Sequence, residues 1–315
     1  MAKLKALLLT EGYHGMISQV EGLAKALQAE FQHKIVRLNW PWNYIPPKLT
    51  PISEIILKDK HYITENKSFD LVISCGRKSV IPSTIIKKKN TNIFTIHIQD
   101  PKINYKNFDV IVAPEHDDLK GENVISSKGS IHYITQRDIE GAKNYLINKF
   151  KNENIISLIL GGPNKYYSFS NEELIQVFAK IKSNFITQGY KVLVIPSMRT
   201  PKRIIELAMK EFVNEGFVVK TVDKQAYLSA LALATNIIVT CDSTSMISEV
   251  AASGKPIFIA HMKPKKNNYR FKKFFQLFKK MGITKELGEK IDNWTYNKLD
   301  EANRIATLMR KKLSN

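Results

Sequence analysis

The sequence predicts an α/β protein made of two similar, doubly wound parallel-sheet domains facing each other. Short, near-continuous apolar runs alternate with amphipathic stretches of helical period, the pattern of strands covered by helices on both faces. That alternation runs through the first half of the chain, pauses, and restarts in the second half. The length of 315 residues suits two domains of ~150 residues better than one core.

The elements follow in order. Leu4–Leu9 is the first strand, and Gly12 and Gly15 break the chain after it. The spacing of Ile17, Val20, Leu23, Ala24 and Leu27 predicts a helix over 16–31. Lys34–Leu38 reads as the second strand. The run N-W-P-W-N-Y-I-P-P-K-L-T-P (39–51) is a Pro- and Trp-rich loop ahead of another helix. Strands follow at Phe69–Ser74, Ile93–Ile98 and Phe108–Ala113, then a helix between domains at Gln136–Phe150. The second half repeats the scheme. Strands are expected at Ile155–Leu160, Lys191–Ile195, Phe217–Thr221, Ile237–Thr240 and Pro256–Ala260. A helix capped near Ser170 and a terminal helix at Leu299–Leu313 complete it. The expected division is residues 1–135, a linking helix 136–152, residues 153–290, and a C-terminal segment 291–315.

Composition narrows the class. A hydrophobic fraction of 43% with 24% charged residues is that of a soluble globular protein. No apolar run approaches the ~18–20 residues of a membrane span, and M-A-K-L-K-A-L-L-L-T-E-G reads as a buried strand rather than a leader. Cys75 and Cys241 stand far apart, outside any Cys/His cluster, so neither a disulfide framework nor a metal site is expected. A reducing, cytoplasmic setting follows. The net charge of +19 is compatible with nucleic acid, an anionic membrane or polyanionic substrates, and does not choose among them.

In open parallel sheets ligands bind beyond the carboxyl ends of the strands. The first half places there T-E-G-Y-H-G-M-I-S-Q, C-G-R-K-S, Q-D-P and P-E-H-D-D; the second places G-G-P-N-K, P-S-M-R-T-P and C-D-S-T-S. The stretch T-C-D-S-T-S-M-I-S-E-V-A-A-S-G-K-P (240–256) is the most informative. A helix starting near Asp242 or Ser243 puts Met246, Ile247, Val250 and Ala251 on a core face. Ser245, Ser248, Glu249 and Ala252 then lie opposite. Its N-terminus attracts an anion, and Glu249 sits ~6 Å further along, suiting a phosphate followed by a ribose. An ordinary capped helix with a solvated Glu249 fits the same pattern. Gly161 and Gly162 allow close backbone approach, and Arg199 suits a bidentate phosphate contact.

In the first half His14 is either a general base near neutral pH or a plain loop histidine. Asp100 is either reactive or the cap of an Asx turn. Glu115, His116 and Asp117 point in different directions if extended, which argues against a metal site. The segment H-M-K-P-K-K-N-N-Y-R-F-K-K-F-F-Q-L-F-K-K (261–280) is basic, with Phe271, Phe274, Phe275 and Phe278 at helical spacing. It is either an amphipathic helix on an anionic membrane or a core helix with a solvated basic face. Its basic residues form no recognisable nucleic-acid module.

Ordered blocks along nearly the whole chain carry a resemblance. They are E-G-Y-H-G-M-I-S-Q-V-E-G-L-A-K-A-L, W-N-Y-I-P-P-K-L-T-P, S-C-G-R-K-S-V-I-P, I-H-I-Q-D-P, F-D-V-I-V-A-P-E-H-D, L-I-L-G-G-P-N-K, P-S-M-R-T-P and the 240–256 stretch. The chain resembles the plant "elongated mitochondria" fission family and its bacterial relatives. That family looks like the GT-B glycosyltransferases, which implies two Rossmann-like domains, a cleft between them and a C-terminal helix crossing back. The resemblance implies a nucleotide-sugar donor on the C-terminal side, held by Gly161, Gly162, Asn164, Ser197, Arg199, Thr200, Asp242, Ser243, Ser245 and Glu249. It implies an acceptor side at Gly12, Gly15, Gln19, Gly76, Arg77, Gln99, Glu115 and His116. His14, Glu11 or Asp100 would act as base, although His14 departs from the Gly-Gly-His spacing of some members. No cofactor or metal is implied beyond the donor as substrate. The plant relatives are linked to recruiting a dynamin-like GTPase to mitochondria. The rival expectation is therefore a non-catalytic adaptor with a protein partner, peripheral on an anionic inner leaflet through 261–280.

Overall fold

A computed structural model describes residues 3–64, 68–150, 153–288 and 294–313. They form two compact units, 1–133 with 300–315, and 134–299.

The first unit carries a six-stranded parallel sheet in the order β2-β1-β3-β4-β5-β6. Its strands are β1 (Lys5–Thr10), β2 (Glu30–Ile35), β3 (Leu71–Cys75), β4 (Phe94–Ile98), β5 (Val110–Pro114) and β6 (Val124–Ser127). Its helices are α1 (His14–Ala26), the short α2 (His61–Thr64), α3 (Val80–Lys89) and the C-terminal α10 (Glu301–Leu313). The core strands are buried on both faces, as the unbroken Leu7-Leu8-Leu9 run requires. On one face α10 inserts Ile305, Ala306 and Met309 among Val20, Leu23 and Leu27 of the α1 region. The C-terminal helix therefore returns to the first unit.

Two expectations shift here. The helix expected to reach Phe31 ends at Ala26, because its apolar stripe stops at Leu27 and Gln28 takes a left-handed φ of 60°. The chain then enters β2 at Glu30, earlier than the expected Lys34 start. This edge strand reads Glu-Phe-Gln-His-Lys-Ile and is half exposed, so its composition gave little signal. Beyond the Pro-rich loop the expected helix is replaced by two 3-10 turns, Pro47–Leu49 and Glu54–Ile56, and by α2.

The second unit carries another six-stranded parallel sheet, ordered β12-β11-β10-β7-β8-β9. Its strands are β7 (Ile155–Leu160), β8 (Lys191–Pro196), β9 (Gly216–Val218), β10 (Asn236–Thr240), β11 (Ile257–Ala260) and β12 (Thr284–Glu286). Its helices are α4 (Gln136–Gly141), α5 (Asn171–Asn184), α6 (Lys202–Glu211), α7 (Lys224–Leu233), α8 (Thr244–Ala251) and α9 (Tyr269–Lys280). Ser170 caps α5, with Glu173 closing a capping box. The helix expected over 136–150 stops at Gly141 and continues as two 3-10 turns. This stretch packs on α7: Ser229 Oγ accepts from the Leu146 amide at 3.1 Å and donates to the Lys143 carbonyl at 3.2 Å. The expected junction at 290/291 lies outside the described residues.

Strand order sets where each unit can hold a ligand. Chain order reverses direction between β1 and β3 in the first sheet and between β7 and β10 in the second. Loops leaving neighbouring strands diverge at such a point and open a crevice.

Candidate functional site

The β7/β10 switch point gathers three of the sequence-predicted loops around one buried carboxylate. Asp242 has a side chain with no exposed surface, and Arg199 Nη2 pairs with its Oδ2 at 2.5 Å. Asp242 Oδ2 also accepts from the Gly162 amide at 3.2 Å, and Oδ1 accepts from the Thr240 hydroxyl at 2.7 Å. The Gly161 amide donates to Thr240 Oγ1 at 2.8 Å, and Arg199 Nη1 donates to the Gly162 carbonyl at 3.1 Å. Burial holds the Asp242 carboxyl above the usual carboxylate range, and the Arg199 guanidinium offsets only part of that rise.

Both glycines are required by close packing. A Cβ on Gly161 would fall 2.0 Å from Asp242 Oδ1, and one on Gly162 would fall 1.9 Å from the Arg199 carbonyl oxygen. Thr200 Oγ1 bonds the Leu160 and Gly161 carbonyls at 2.9 and 2.7 Å and accepts from the Ser197 amide at 2.8 Å. Asn164 Nδ2 donates to the Asp242 carbonyl at 2.9 Å, while its Oδ1 accepts from the Tyr166 and Tyr167 amides. Gly161, Gly162, Asn164, Ser197, Thr200 and Asp242 thus bond inward and fix the loops.

The rest of the predicted set stays accessible. Ser243 caps α8, its hydroxyl accepting from the Met246 amide. Ser245 is half-buried in the first turn, and Glu249 lies one turn on, with Tyr227 OH 3.4 Å from its Oε2. Met246, Ile247, Val250 and Ala251 are buried as expected. Ser248 and Ala252 are buried too, which narrows the solvated face to Thr244, Ser245 and Glu249. Arg199 is 38% exposed, but both terminal nitrogens already bond protein. The sequence missed Thr240, whose hydroxyl ties Asp242 to the Gly161 amide 79 residues away, and Tyr227, which lies 22 residues from Glu249.

In the first unit Glu11 and Gly76 meet at the β1/β3 switch point. Glu11 Oε1 accepts from the Lys78 amide at 3.2 Å, and Lys78 Nζ lies 3.7 Å from Oε2. Gly76, at φ 96°, has no room for a Cβ beside Met16 and Glu11. Gly12, at φ 88°, donates its amide to Thr10 Oγ1, which lies 2.8 Å from His33 Nε2. His14 is exposed in the first turn of α1, its Nε2 2.9 Å from Tyr133 OH. Gln19 is buried and bonds the Gly15 carbonyl within α1.

The remaining first-unit residues disperse. Arg77 reaches to the carbonyls of Asn43 and Ile45. Gln99 holds a left-handed φ of 86°, and Asp100 forms the Asx turn, accepting from the Lys102 amide at 2.9 Å and pairing with its ammonium. Glu115–Asp117 is a 3-10 turn rather than extended chain; His116 is buried, and Glu115 presses its charge on Arg304 of α10. No group of three metal-ligating side chains occurs among the described residues. Cys75 and Cys241 are free and buried; burial raises both thiols, Cys241 to about 12, which disfavours a reactive thiolate.

The basic aromatic segment resolves into α9. Phe274, Phe275 and Phe278 are buried, and Phe271 packs edge-on against Tyr166 and Tyr167 at 5.3 and 5.5 Å. Most of the aromatic stripe is core, and the solvated face is mainly basic, with Tyr269 exposed at the start of the helix. No helix among the described residues is long and apolar enough to cross a membrane.

Comparisons with known proteins fit this architecture. A family model described as Mitochondrial fission ELM1 matches residues 14–313. The uncharacterized protein RP120 of Rickettsia prowazekii is 26% identical, over 94% of this chain and 92% of that one. The mitochondrial fission protein ELM1 of Arabidopsis thaliana is 22% identical over 78% of this chain, and the match spans 64% of the plant protein's length. Among solved structures, UDP-GlcNAc 2-epimerase from Neisseria meningitidis, bound to UDP-GlcNAc, superposes with a TM-score of 0.55 at 10% identity, covering 99% of this chain and 100% of that one. MurG from Acinetobacter baumannii gives 0.51 at 11% identity, covering 99% and 91%. At such identities these two show the fold, which is GT-B-like. The chain belongs to the mitochondrial fission ELM1 family.

Proposed function

We propose that the protein is a metal-independent glycosyltransferase that takes a nucleoside-diphosphate sugar at the β7/β10 switch point and transfers the sugar to a lipid-linked or envelope acceptor. The observation that carries this is the Asp242–Arg199 pair, buried on its acidic side and pinning three loops at the edge where open α/β sheets hold ligands. A buried ion pair is weak evidence for stability alone and stronger evidence for a shaped site. The diphosphate would meet the first turn of α8 at Ser243 and Ser245 together with the outer edge of Arg199, and Glu249 would accept from the ribose hydroxyls. Gly161 and Gly162 would serve by letting the backbone come close, since their amides already bond Thr240 and Asp242.

In the transfer, the acceptor oxygen bonds to the anomeric carbon, the nucleoside diphosphate leaves with the C–O electron pair, and a base takes the acceptor proton. His14 is the first candidate, being exposed and oriented by Tyr133. Glu11 already pairs with Lys78 and Asp100 with Lys102, so each of these carboxylates is engaged by a neighbouring ammonium. The UDP-sugar named for the Neisseria structure makes UDP-sugars the first ligands to try.

The test is a thermal-shift series with nucleoside diphosphates and nucleotide sugars on wild type and Glu249→Ala. A ligand at 100 times its Kd stabilises by about 2.7 kcal/mol, which is readily seen. One nucleotide raising the melting temperature of wild type and not of the variant supports the reading; no shift, or equal shifts, removes it. A second reading, an adaptor at an anionic membrane, draws on the solvated basic face of α9 and the fission family. It expects flotation with anionic liposomes, lost in Lys272→Glu/Lys273→Glu and at high salt.

A further inference from the structure

Seventeen large apolar side chains are exposed among the described residues, and five of them, Trp40, Tyr44, Leu49, Ile52 and Ile55, fall within residues 40–55. Trp40 and Tyr44 are each 81% exposed, and Leu49 is 71% exposed. Scattered exposed apolar residues are ordinary, but a cluster marks a contact surface.

This stretch is anchored rather than loose. Arg77 donates from Nη1 to the Ile45 carbonyl at 2.8 Å and from Nη2 to that of Asn43. Asn43 Nδ2 donates back to the Leu38 carbonyl at 2.8 Å, and Asn39 Nδ2 bridges the Ile55 and Leu57 carbonyls at 3.0 Å each. Thr50 Oγ1 bonds the Pro46 carbonyl at 3.0 Å. The hydrogen bonds fix the backbone and leave the apolar side chains in water.

Against this stretch lies an open pocket of about 550 Å³, the size of a small-molecule site. Lys48, Ile52, Ile81 of α3, Asp100, Lys102 and Ile103 are among the residues that line it. The Asp100–Lys102 pair is neutral as a unit. Lys48 makes no ion pair with a described residue, so it gives the rim a net positive charge.

The geometry points to this pocket as a binding site for a single-chain anionic amphiphile, with a phosphate-bearing head at Lys48 and hydrocarbon over Ile52 and Ile103. A wholly apolar ligand would leave Lys48 unused, and a small hydrophilic anion would leave Ile52 and Ile103 uncovered. The inference deepens the acceptor side of the transferase reading and rests on it for the ligand's role, not for its binding.

The test is calorimetric titration of the full chain, without nucleotide, using dodecyl phosphate below its micelle threshold. Saturable one-to-one binding is expected, with inorganic phosphate and the uncharged dodecyl maltoside both far weaker. Ile52→Asp weakens binding roughly tenfold through the lost apolar contact, Lys48→Glu roughly fivefold through the exposed charge, and Ile52→Val leaves it near wild type. Both substituted side chains are exposed, and circular dichroism melts confirm that the variants fold. Absence of saturable binding, or equal affinity across wild type, Ile52→Asp and Lys48→Glu, overturns the proposal. Binding that appears only with phosphatidic-acid vesicles also overturns it, since that assigns the surface to a bilayer. Nucleotide titration of the same variants is read separately, so loss of either ligand identifies which half of the function fails.

Discussion

Gly162→Ala tests whether the loops at the second switch point are as tightly interlocked as they look. The added Cβ would stand 1.9 Å from the Arg199 carbonyl oxygen, 2.3 Å from its carbon and 2.8 Å from the Arg199 Cβ. Reaching an ordinary 3.4 Å contact needs a separation of 3.4 − 1.9 = 1.5 Å. The obstacle is backbone, so no rotamer change relieves it. The 197–200 turn is tied to β7 through Thr200 Oγ1 and the Ser197 amide, and it cannot move without breaking those bonds. Overpacking of this kind costs about 1–3 kcal/mol, which at ~2–4 °C per kcal/mol lowers the melting temperature by roughly 2–12 °C. Displacing Arg199 also breaks its bonds to Gly162 and Asp242, so nucleotide stabilisation should disappear as well. Gly141→Ala is the control, because a Cβ there meets nothing within 4 Å. Melting curves by circular dichroism, with and without UDP, read both effects. A Gly162→Ala protein melting within about a degree of wild type, with the nucleotide shift retained, would refute the interlock.

Two further outcomes concern stability and pH. Asp223 caps α7, its Oδ1 accepting from the Gln225 and Ala226 amides at 2.8 and 3.2 Å, so Asp223→Ala should cost about 1 kcal/mol in denaturant titration. The hydrogen bond from Tyr145 OH, with the two amides, holds this carboxyl below its ordinary range. A lowered folded-state pKa stabilises above the unfolded value of ~3.9. The gap between wild type and variant should therefore be full near neutral pH and narrow as the solution is acidified below that value. Glu286 is held low chiefly by His261, whose Nε2 lies 2.6 Å from Oε2. Glu286→Gln should accordingly lower the melting temperature above the ordinary carboxylate pKa and converge with wild type as pH falls; parallel curves would exclude this pair as the source.

The strands of both sheets were legible where burial on two faces demanded unbroken apolar runs, as at Leu7–Leu9 or Ile155–Leu160. Edge strands were legible only in part: β2 and β9 were expected with shifted bounds, and β6 and β12 were missed. Two of them, β6 and β12, are short and partly solvated, so nothing in Val-Ile-Ser-Ser or Thr-Lys-Glu separates them from loop. The loops at strand ends were legible as concentrations of glycine and small polar residues. Their internal division was not, since Asn164, Ser197 and Thr200 bond inward while Glu249 stays accessible, and those partners lie up to 78 residues away. Phe271 to Phe278 fitted both a core helix and a membrane helix in sequence; the burial of Phe274, Phe275 and Phe278 and the packing of Phe271 on Tyr166 and Tyr167 separate the two.

The arrangement around Asp242 bears on the choice between transfer and recruitment. A protein that needed only an outer surface could fill the β7/β10 junction with apolar side chains, which is often neutral or stabilising relative to a buried ion pair. This chain instead buries a carboxylate whose charge burial disfavours, matches it with a half-solvated arginine, and uses two glycines that admit no Cβ. Each feature carries a stability cost that a ligand at the adjoining α8 turn would offset by binding only the folded state. The basic face of α9 needs no such explanation, because lysines over an aromatic core are an ordinary solvated surface. Transfer at the switch point accounts for the features that cost stability, whereas recruitment accounts for those that cost none, and on that ground the nucleotide site is the stronger inference.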